Sequence, residues 1–226
     1  MTGSGGAEEQ KAGIIARRHS RDYITVLRIP DSAFLRACVP SQVIGVQSDG
    51  KGDVMELEVE ISELEKAHRR RYGRWLHIAT AESATAGRIG DRLTNVPGAS
   101  EYVVGGIIAY SNEAKQVILG VSEYTLGVYG AVSAEVALEM AAGGREALHA
   151  DLCVSDTGIA GPGGGSLAKP VGLFYLGLAM ASKCHVERHV FEADRDGNKE
   201  AAVGVALTLV RDRLVQLVAS EDQQNG

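Results

Sequence analysis

The sequence predicts an α/β fold in which helices layer against a mostly parallel sheet. Three observations carry that expectation. A glycine loop from Thr157 to Gly165 lies between two strand-like apolar runs, Leu152–Ser155 and Val171–Ala181. A serine, Ser133, opens an alanine-rich segment that runs helically to Leu148. A long amphipathic stretch, Lys199–Val218, places Val203, Leu207, Val210, Leu214 and Leu217 on one side of a helix.

The remaining elements follow in chain order. Residues 1–22 collect Gly, Ser and Glu, then Arg17, Arg18, His19 and Arg21, and read as a flexible tail. Residues 23–61 read as a β-rich N-terminal extension. Tyr23–Ile29 is strand-like and stops at Pro30, and Ser48–Asp53 supplies a turn. Met55, Leu57, Val59 and Ile61 alternate with glutamates, as in a half-buried strand. Ser62 then caps a helix with acids in its first turn and Arg69, Arg70 and Arg71 in its last, matching the helix dipole. Trp75–Thr80 is a short strand, Arg88–Leu93 a helix ended by Asn95-Val96-Pro97-Gly98, and Val103–Tyr110 a second core strand. Asn112–Leu119 has helical spacing and stops at Gly120, and Glu187–Phe191 is a further strand. The main domain therefore spans residues 62–219, with a flexible tail at 220–226.

Bulk composition narrows the function. The chain has 226 residues, 45% of them apolar and 23% charged, which suits one soluble domain with an extension, or two small ones. A net charge of −6 argues against a nucleic-acid partner, which wants a basic face. No apolar run approaches the ~20 residues of a membrane span, and no secretory leader is evident. Cys38, Cys153 and Cys184 form no metal spacing; Cys153 and Cys184 sit in apolar runs and are expected to be reduced. Cytoplasmic localisation, no cofactor and no metal are the expectations.

Five glycines in the nine residues 157–165 suit a sharp bend that brings bare backbone N–H groups to an anion. Neither the dinucleotide fingerprint nor the P-loop fits: the third glycine of G-x-G-x-x-G falls on Ser166. An ordinary loop is the plain alternative.

Three polar clusters could carry chemistry. Glu82-Ser83-Ala84-Thr85-Ala86-Gly87 stands at a strand-to-helix junction, where the hydroxyls of Ser83 and Thr85 meet free helix N–H groups; an N-cap alone would look the same. Ser100 follows Pro97-Gly98 in a turn. Tyr110 ends a strand, and Lys115 sits in the first turns of a helix, at the wrong end of the dipole. That field, together with burial, would make a neutral amine, and a neutral amine can act as base to a serine. A solvent-facing lysine is the rival reading. His185 and His189 are four apart in a strand-like run, unlike the helical zinc-peptidase pattern. Arg195 could clamp a phosphate or carboxylate, or pair with Asp194 and Asp196.

These segments recur in family order. Thr80–Gly87, Val96–Ser100, Ala109–Lys115, Gly130–Ser133, Thr157–Gly165 and Lys169–Gly172 together resemble the C-terminal domain of the competence/damage-inducible CinA proteins. The stand-alone form of that domain is nicotinamide-nucleotide amidohydrolase. The resemblance covers roughly residues 62–219; residues 1–61 match nothing in it. It implies a three-layer α/β/α sandwich and hydrolysis of the carboxamide of nicotinamide mononucleotide to nicotinate mononucleotide and ammonia. It implies Ser100 as nucleophile, Lys115 as base and Tyr110 as the residue that positions them; Ser83, by its place at the strand-to-helix junction, is the rival nucleophile. Ser83 and Thr157 are implied to bind substrate and Arg195 lies near a family arginine, while Thr85, Gly158, Gly161, Gly163 and Gly164 are expected to join them from the junction and glycine-loop readings. No cofactor or metal is implied, and the partners are a small mononucleotide and a second copy in a homo-oligomer, with no nucleic acid or membrane.

Two departures bear on this. The family usually reads Glu-Ser-Cys-Thr-Gly-Gly where this chain has Ala84 and Ala86. The methyl of Ala86 is expected to tighten the pocket. The alternative to an enzyme is a non-catalytic nucleotide- or phosphate-binding module.

Overall fold

The computed structural model describes residues 57–219. The tails expected at 1–22 and 220–226 and the strand expected at Tyr23–Ile29 lie outside the described residues. Six α-helices and a five-stranded sheet make up the described chain. In order they are α1 (Leu57–Tyr72), β1 (Ile78–Glu82), α2 (Arg88–Thr94), β2 (Val103–Ile108), α3 (Asn112–Leu119), α4 (Glu123–Tyr129), α5 (Ala134–Ala147), β3 (Leu152–Gly158), β4 (Leu173–Met180), β5 (Cys184–Val190) and α6 (Arg195–Ala219). A short 3-10 turn, Ala99–Glu101, precedes β2.

The strands lie in the order β2-β1-β3-β4-β5. β1 pairs in parallel with β2 and β3, whereas β3–β4 and β4–β5 are antiparallel. The sheet is therefore mixed: β1, β2, β3 and β5 run one way and β4 alone runs against them. The reason is connection length. Only Ala181, Ser182 and Lys183 separate β4 from β5, and a parallel pair needs a crossover of a dozen residues or more.

Helices cover both faces. One apolar cluster joins Ile61 of α1, Ile89 and Leu93 of α2 and Val203, Leu207, Val210 and Leu214 of α6 to Ile78, Val154 and Leu176 of the sheet. A second, on the opposite face, joins Leu119 of α3 and Val136 and Met140 of α5 to Ala79, Ala81 and Cys153. Alternate residues of β1 and β3 thus point to opposite faces, so the central strands are buried on both sides. Close approach sets one glycine: a Cβ on Gly143 would stand 1.8 Å from the Leu119 carbonyl oxygen, so α5 meets the end of α3 backbone to backbone.

Several expectations shift at this level. The alternating segment around 57–61 is the first turn and a half of α1, not a strand. Leu57 and Ile61 share its inner side, with Ile61 fully buried, while Val59 is exposed. Strand β1 begins at Ile78, later than the expected Trp75. Helix α4, capped by Ser122, has no counterpart among the expected elements. Helix α3 and the Ser133 cap of α5 fall where the sequence puts them. Cys153 is a buried free thiol, as expected, but Cys184 is disulfide-bonded.

Candidate active site

The three parallel strands end on one edge of the sheet, and so do the segments that the sequence singles out. Ser83 follows β1, Tyr110 follows β2, and Asp156 and Thr157 close β3. The glycine loop leaves β3 at this edge and returns into β4, and α6 begins here at Arg195. Open α/β sheets bind ligands outside the carboxyl ends of their strands, where neighbouring connections part to opposite faces. Here the connections after β1 and β2 part in this way, to α2 on one face and to α3 on the other.

The turn after β1 is fixed by two buried carboxylates. Glu82 accepts the N–H groups of Gly87, Ile89 and Gly90 at 2.7, 3.1 and 2.9 Å, and so caps α2 in place of a side chain at its N-cap. Asp156, wholly buried, accepts the N–H groups of Ser83, Ala84 and Thr85 at 2.9, 2.8 and 3.2 Å. The hydroxyl of Thr85 lies between them, 2.8 Å from Glu82 and in contact with Asp156. Thr85 therefore holds the turn from inside instead of facing a ligand. Ala86 takes the left-handed conformation at φ 55° and is exposed. Its methyl stands in solvent.

This turn sets Ser83 against Lys115. The Lys115 Nζ lies 2.9 Å from Ser83 Oγ, 2.9 Å from the Ala109 carbonyl and 3.2 Å from the Tyr110 carbonyl. The side chain is 2% exposed and reaches no carboxylate in these contacts. Three neighbours suit both charge states. A neutral amine donates its two N–H groups to the two carbonyls and accepts the serine O–H with its lone pair, and an ammonium donates to all three. Burial holds the Lys115 pKa below the ordinary lysine range, opposed by the negative charge of Asp156. Ser111 caps α3 through the Ala114 N–H at 3.0 Å and so fixes where Lys115 enters the helix.

Ser100 is elsewhere. It is exposed on the 3-10 turn that precedes β2, whereas Lys115 follows β2. At roughly 3.3 Å per residue the six-residue strand keeps them about 17 Å or more apart. The lysine thus partners the rival serine, Ser83. Tyr110 contributes its carbonyl to Lys115, and its ring is exposed.

Of the other expected binding residues, Arg195 and Gly161 are linked to this pair through Tyr110. Arg195 donates to the Gly161 carbonyl at 2.6 Å and lies 3.4 Å from the Tyr110 hydroxyl, bridging the glycine loop to the segment after β2. Gly161 and Gly164 have positive φ, and the Gly161–Pro162 peptide is cis. Gly163 has open space beside it. The loop walls an open recess of about 460 Å³ formed by residues 162–167 with Pro170 and Val171. Two expected ligands have structural duties instead. Thr157 is buried and donates to the Ala131 carbonyl at 2.7 Å, and a Cβ on Gly158 would strike the ring of Phe174.

Lys169 and Asp156 join the site without having been expected there. Lys169 donates to the carbonyls of Tyr129 and Val132 at 2.6 and 2.7 Å and pins the glycine loop to the segment before α5. Its place beside Pro170 is visible in the sequence, but its partners are distant in the chain. His185 and His189 both reach Glu187, at 3.3 and 2.8 Å. Among the described residues no group of three or more His, Cys, Asp or Glu is placed to hold a metal, and no helix is long and apolar enough to cross a membrane.

The fold and site define a three-layer α/β/α protein with a buried serine–lysine pair outside the carboxyl ends of its parallel strands. Residues 62–214 match the model of the CinA C-terminal domain, and the chain belongs to that family. It is 50% identical over 164 residues to a CinA-like protein of Chloroherpeton thalassium, covering 71% of this chain and 38% of that one. A putative competence-damage inducible protein of Moorella thermoacetica is 48% identical over 137 residues, 61% of this chain and 33% of its own length. The chain thus spans about a third of the length of these relatives. Among solved structures, the competence/damage inducible protein CihA of Agrobacterium tumefaciens is 37% identical with a TM-score of 0.66, covering 75% of this chain and 99% of that one. A CinA superfamily protein of Escherichia coli is 30% identical, with a TM-score of 0.65 over 74% and 94% of the two chains.

Proposed function

We propose that this domain hydrolyses the carboxamide of nicotinamide mononucleotide to nicotinate mononucleotide and ammonia, with Ser83 as nucleophile and Lys115 as base. The observation that carries the reading is the 2.9 Å contact between Ser83 Oγ and a buried Lys115 Nζ whose pKa burial lowers. An amide is a poor electrophile, so its hydrolysis at neutral pH needs an activated nucleophile. Neutral Lys115 takes the Ser83 proton as Oγ attacks the carboxamide carbon. The resulting ammonium returns that proton to the departing nitrogen, which leaves as ammonia. Water then attacks the acyl-serine, Lys115 again taking the proton, and the carboxylate is released as the serine is restored. The cationic pyridinium ring draws electrons from the carboxamide and eases both additions.

The N–H groups of Ala84 and Thr85 are engaged by Asp156, so oxyanion donors must come from elsewhere along the edge. Arg195 and the glycine loop supply the cation and backbone donors that suit the phosphate end of the substrate. Ammonia release from purified protein tests the reading, with the mononucleotide, its riboside and free nicotinamide compared. Release from the mononucleotide, falling at least ~10-fold in kcat/KM for the riboside, is the expected result. Tight mononucleotide binding without ammonia would replace the reading with that of a binding module.

A further inference from the structure

The hydrogen bonds beneath Ser83 do not close with the protons usually assigned to them. Thr85 Oγ1 is 2.8 Å from Glu82 Oε2 and in hydrogen-bond contact with Asp156 Oδ1, yet a hydroxyl carries one proton. Two ionised carboxylates cannot both accept it. One of them must bring a proton of its own and donate to the threonine oxygen. Glu82 is the poorer candidate, because its carboxylate already receives three backbone N–H groups and, on its other oxygen, the Thr80 hydroxyl at 3.0 Å. Asp156 receives three backbone N–H groups and is fully buried. A chain from the Asp156 acid to Thr85 and on to ionised Glu82 satisfies every donor and acceptor.

The titratable groups that act on this carboxyl are Glu82 on β1 and Lys115 on α3. Its oxygens are taken up by the turn, so it makes no direct contact with Lys115 Nζ. Ionised, it is a buried negative charge close enough to be felt by the lysine but not bonded to it.

We propose that Asp156 is a positioning residue of the Ser83–Lys115 pair that carries an exchangeable proton: protonated it completes the Thr85 chain, and ionised it holds a proton on Lys115. The two states share the same grip on the Ser83 turn and differ in the basicity of the lysine. Burial, reinforced by the charge of Glu82, pushes Asp156 up to about 6, against the hydrogen bonds from Thr85 and Ser83, so the exchange falls within a cellular pH range. The inference rests on the Ser83–Lys115 reading, but its first half can be tested without turnover.

The test combines infrared spectroscopy with kinetics. Wild-type protein carrying carboxyl-labelled aspartate is compared with Asp156→Asn at pH 5 and pH 8. The expected result is an isotope- and deuterium-sensitive carboxylic-acid carbonyl band at pH 5, absent at pH 8 and absent from the variant. No such band at pH 5, where an ordinary aspartate is ionised, overturns the proposal. Labelling separates it from other raised acids such as Glu65. Should the variant fail to fold, a carboxyl NMR titration of labelled wild type decides the same point: an aspartate that titrates near 6 supports the proposal, and the lack of one overturns it. In kinetics, Asp156→Asn moves the acid limb of kcat/KM to lower pH by about one unit or more, because a neighbouring anion no longer favours the ammonium. A limb that stays in place while kcat falls at all pH values marks a merely structural residue and contradicts the second half. If the mononucleotide gives no ammonia, the limb is read from the rate at which a phosphonofluoridate phosphonylates Ser83 with release of fluoride. Loss of the proposed substrate and loss of this inference then remain distinct results.

Discussion

Ala86 holds a left-handed backbone, φ 55°, that costs an L-residue with a Cβ roughly 1–2 kcal/mol. The family's usual glycine would meet no such cost, although it would lose somewhat more entropy on folding. Ala86→Gly is therefore expected to raise stability by about 1 kcal/mol, read as a higher urea midpoint at unchanged slope. Because the methyl is exposed, the substitution should leave kcat/KM within about twofold; an unchanged midpoint would mean that the turn is not strained. The sequence shows that Ala86 departs from the family pattern. It does not show which way the methyl points, since that depends on a backbone conformation fixed by Glu82 and Asp156 from two different strands. The choice between Ser83 and Ser100 stays open in the sequence for the same reason. A strand already separates Ser100 from Lys115 along the chain, but only the parallel pairing of β1 with β2 shows that Ser83 shares an edge with the lysine.

Elements whose signals are local are legible in the sequence, and those that depend on a partner are not. Helix α3 and the start of α5 carry their own caps in Ser111 and Ser133. Helix α1 passes for a strand because Leu57 and Ile61, four apart, satisfy both a helical and an alternating pattern; exposed Val59 is what distinguishes them. The same helix carries Glu65 into the core, where one carboxyl oxygen accepts the Leu76 N–H at 3.1 Å and the other has no hydrogen-bond partner among the described residues. Burial pushes Glu65 up to about 7, Asp151 adds to the rise, and the Leu76 N–H opposes it. The unfolded carboxyl ionises first, near 4.5, so between about pH 4.5 and 7 the unfolded chain binds fewer protons than the folded one. Stability must fall as pH rises through that window and level off above it. Glu65→Gln removes the fall and is expected to gain roughly 2–3 kcal/mol over wild type at pH 8. Urea unfolding at pH 5 and pH 8 checks this. Parallel losses in wild type and variant would show that Glu65 is not the group responsible.

On the scale of the molecule, the layered α/β architecture is legible because apolar runs alternate with helices along the chain. Strand direction is less so, although the three residues between β4 and β5 leave no room for a crossover. That antiparallel return has a functional effect. It brings the glycine loop and, after β5, the first residue of α6 back to the edge where β1, β2 and β3 end. Arg195 can then meet Gly161 and Tyr110, residues far apart in the sequence. The account as a whole stands on Ser83, not Ser100, as the partner of Lys115. The most direct measurement is ammonia release from nicotinamide mononucleotide by Ser83→Ala and Ser100→Ala beside wild type, each variant first shown to be folded. The account predicts a loss of at least ~10³-fold in kcat for Ser83→Ala and near wild-type turnover for Ser100→Ala. Full activity in Ser83→Ala with loss in Ser100→Ala would contradict it.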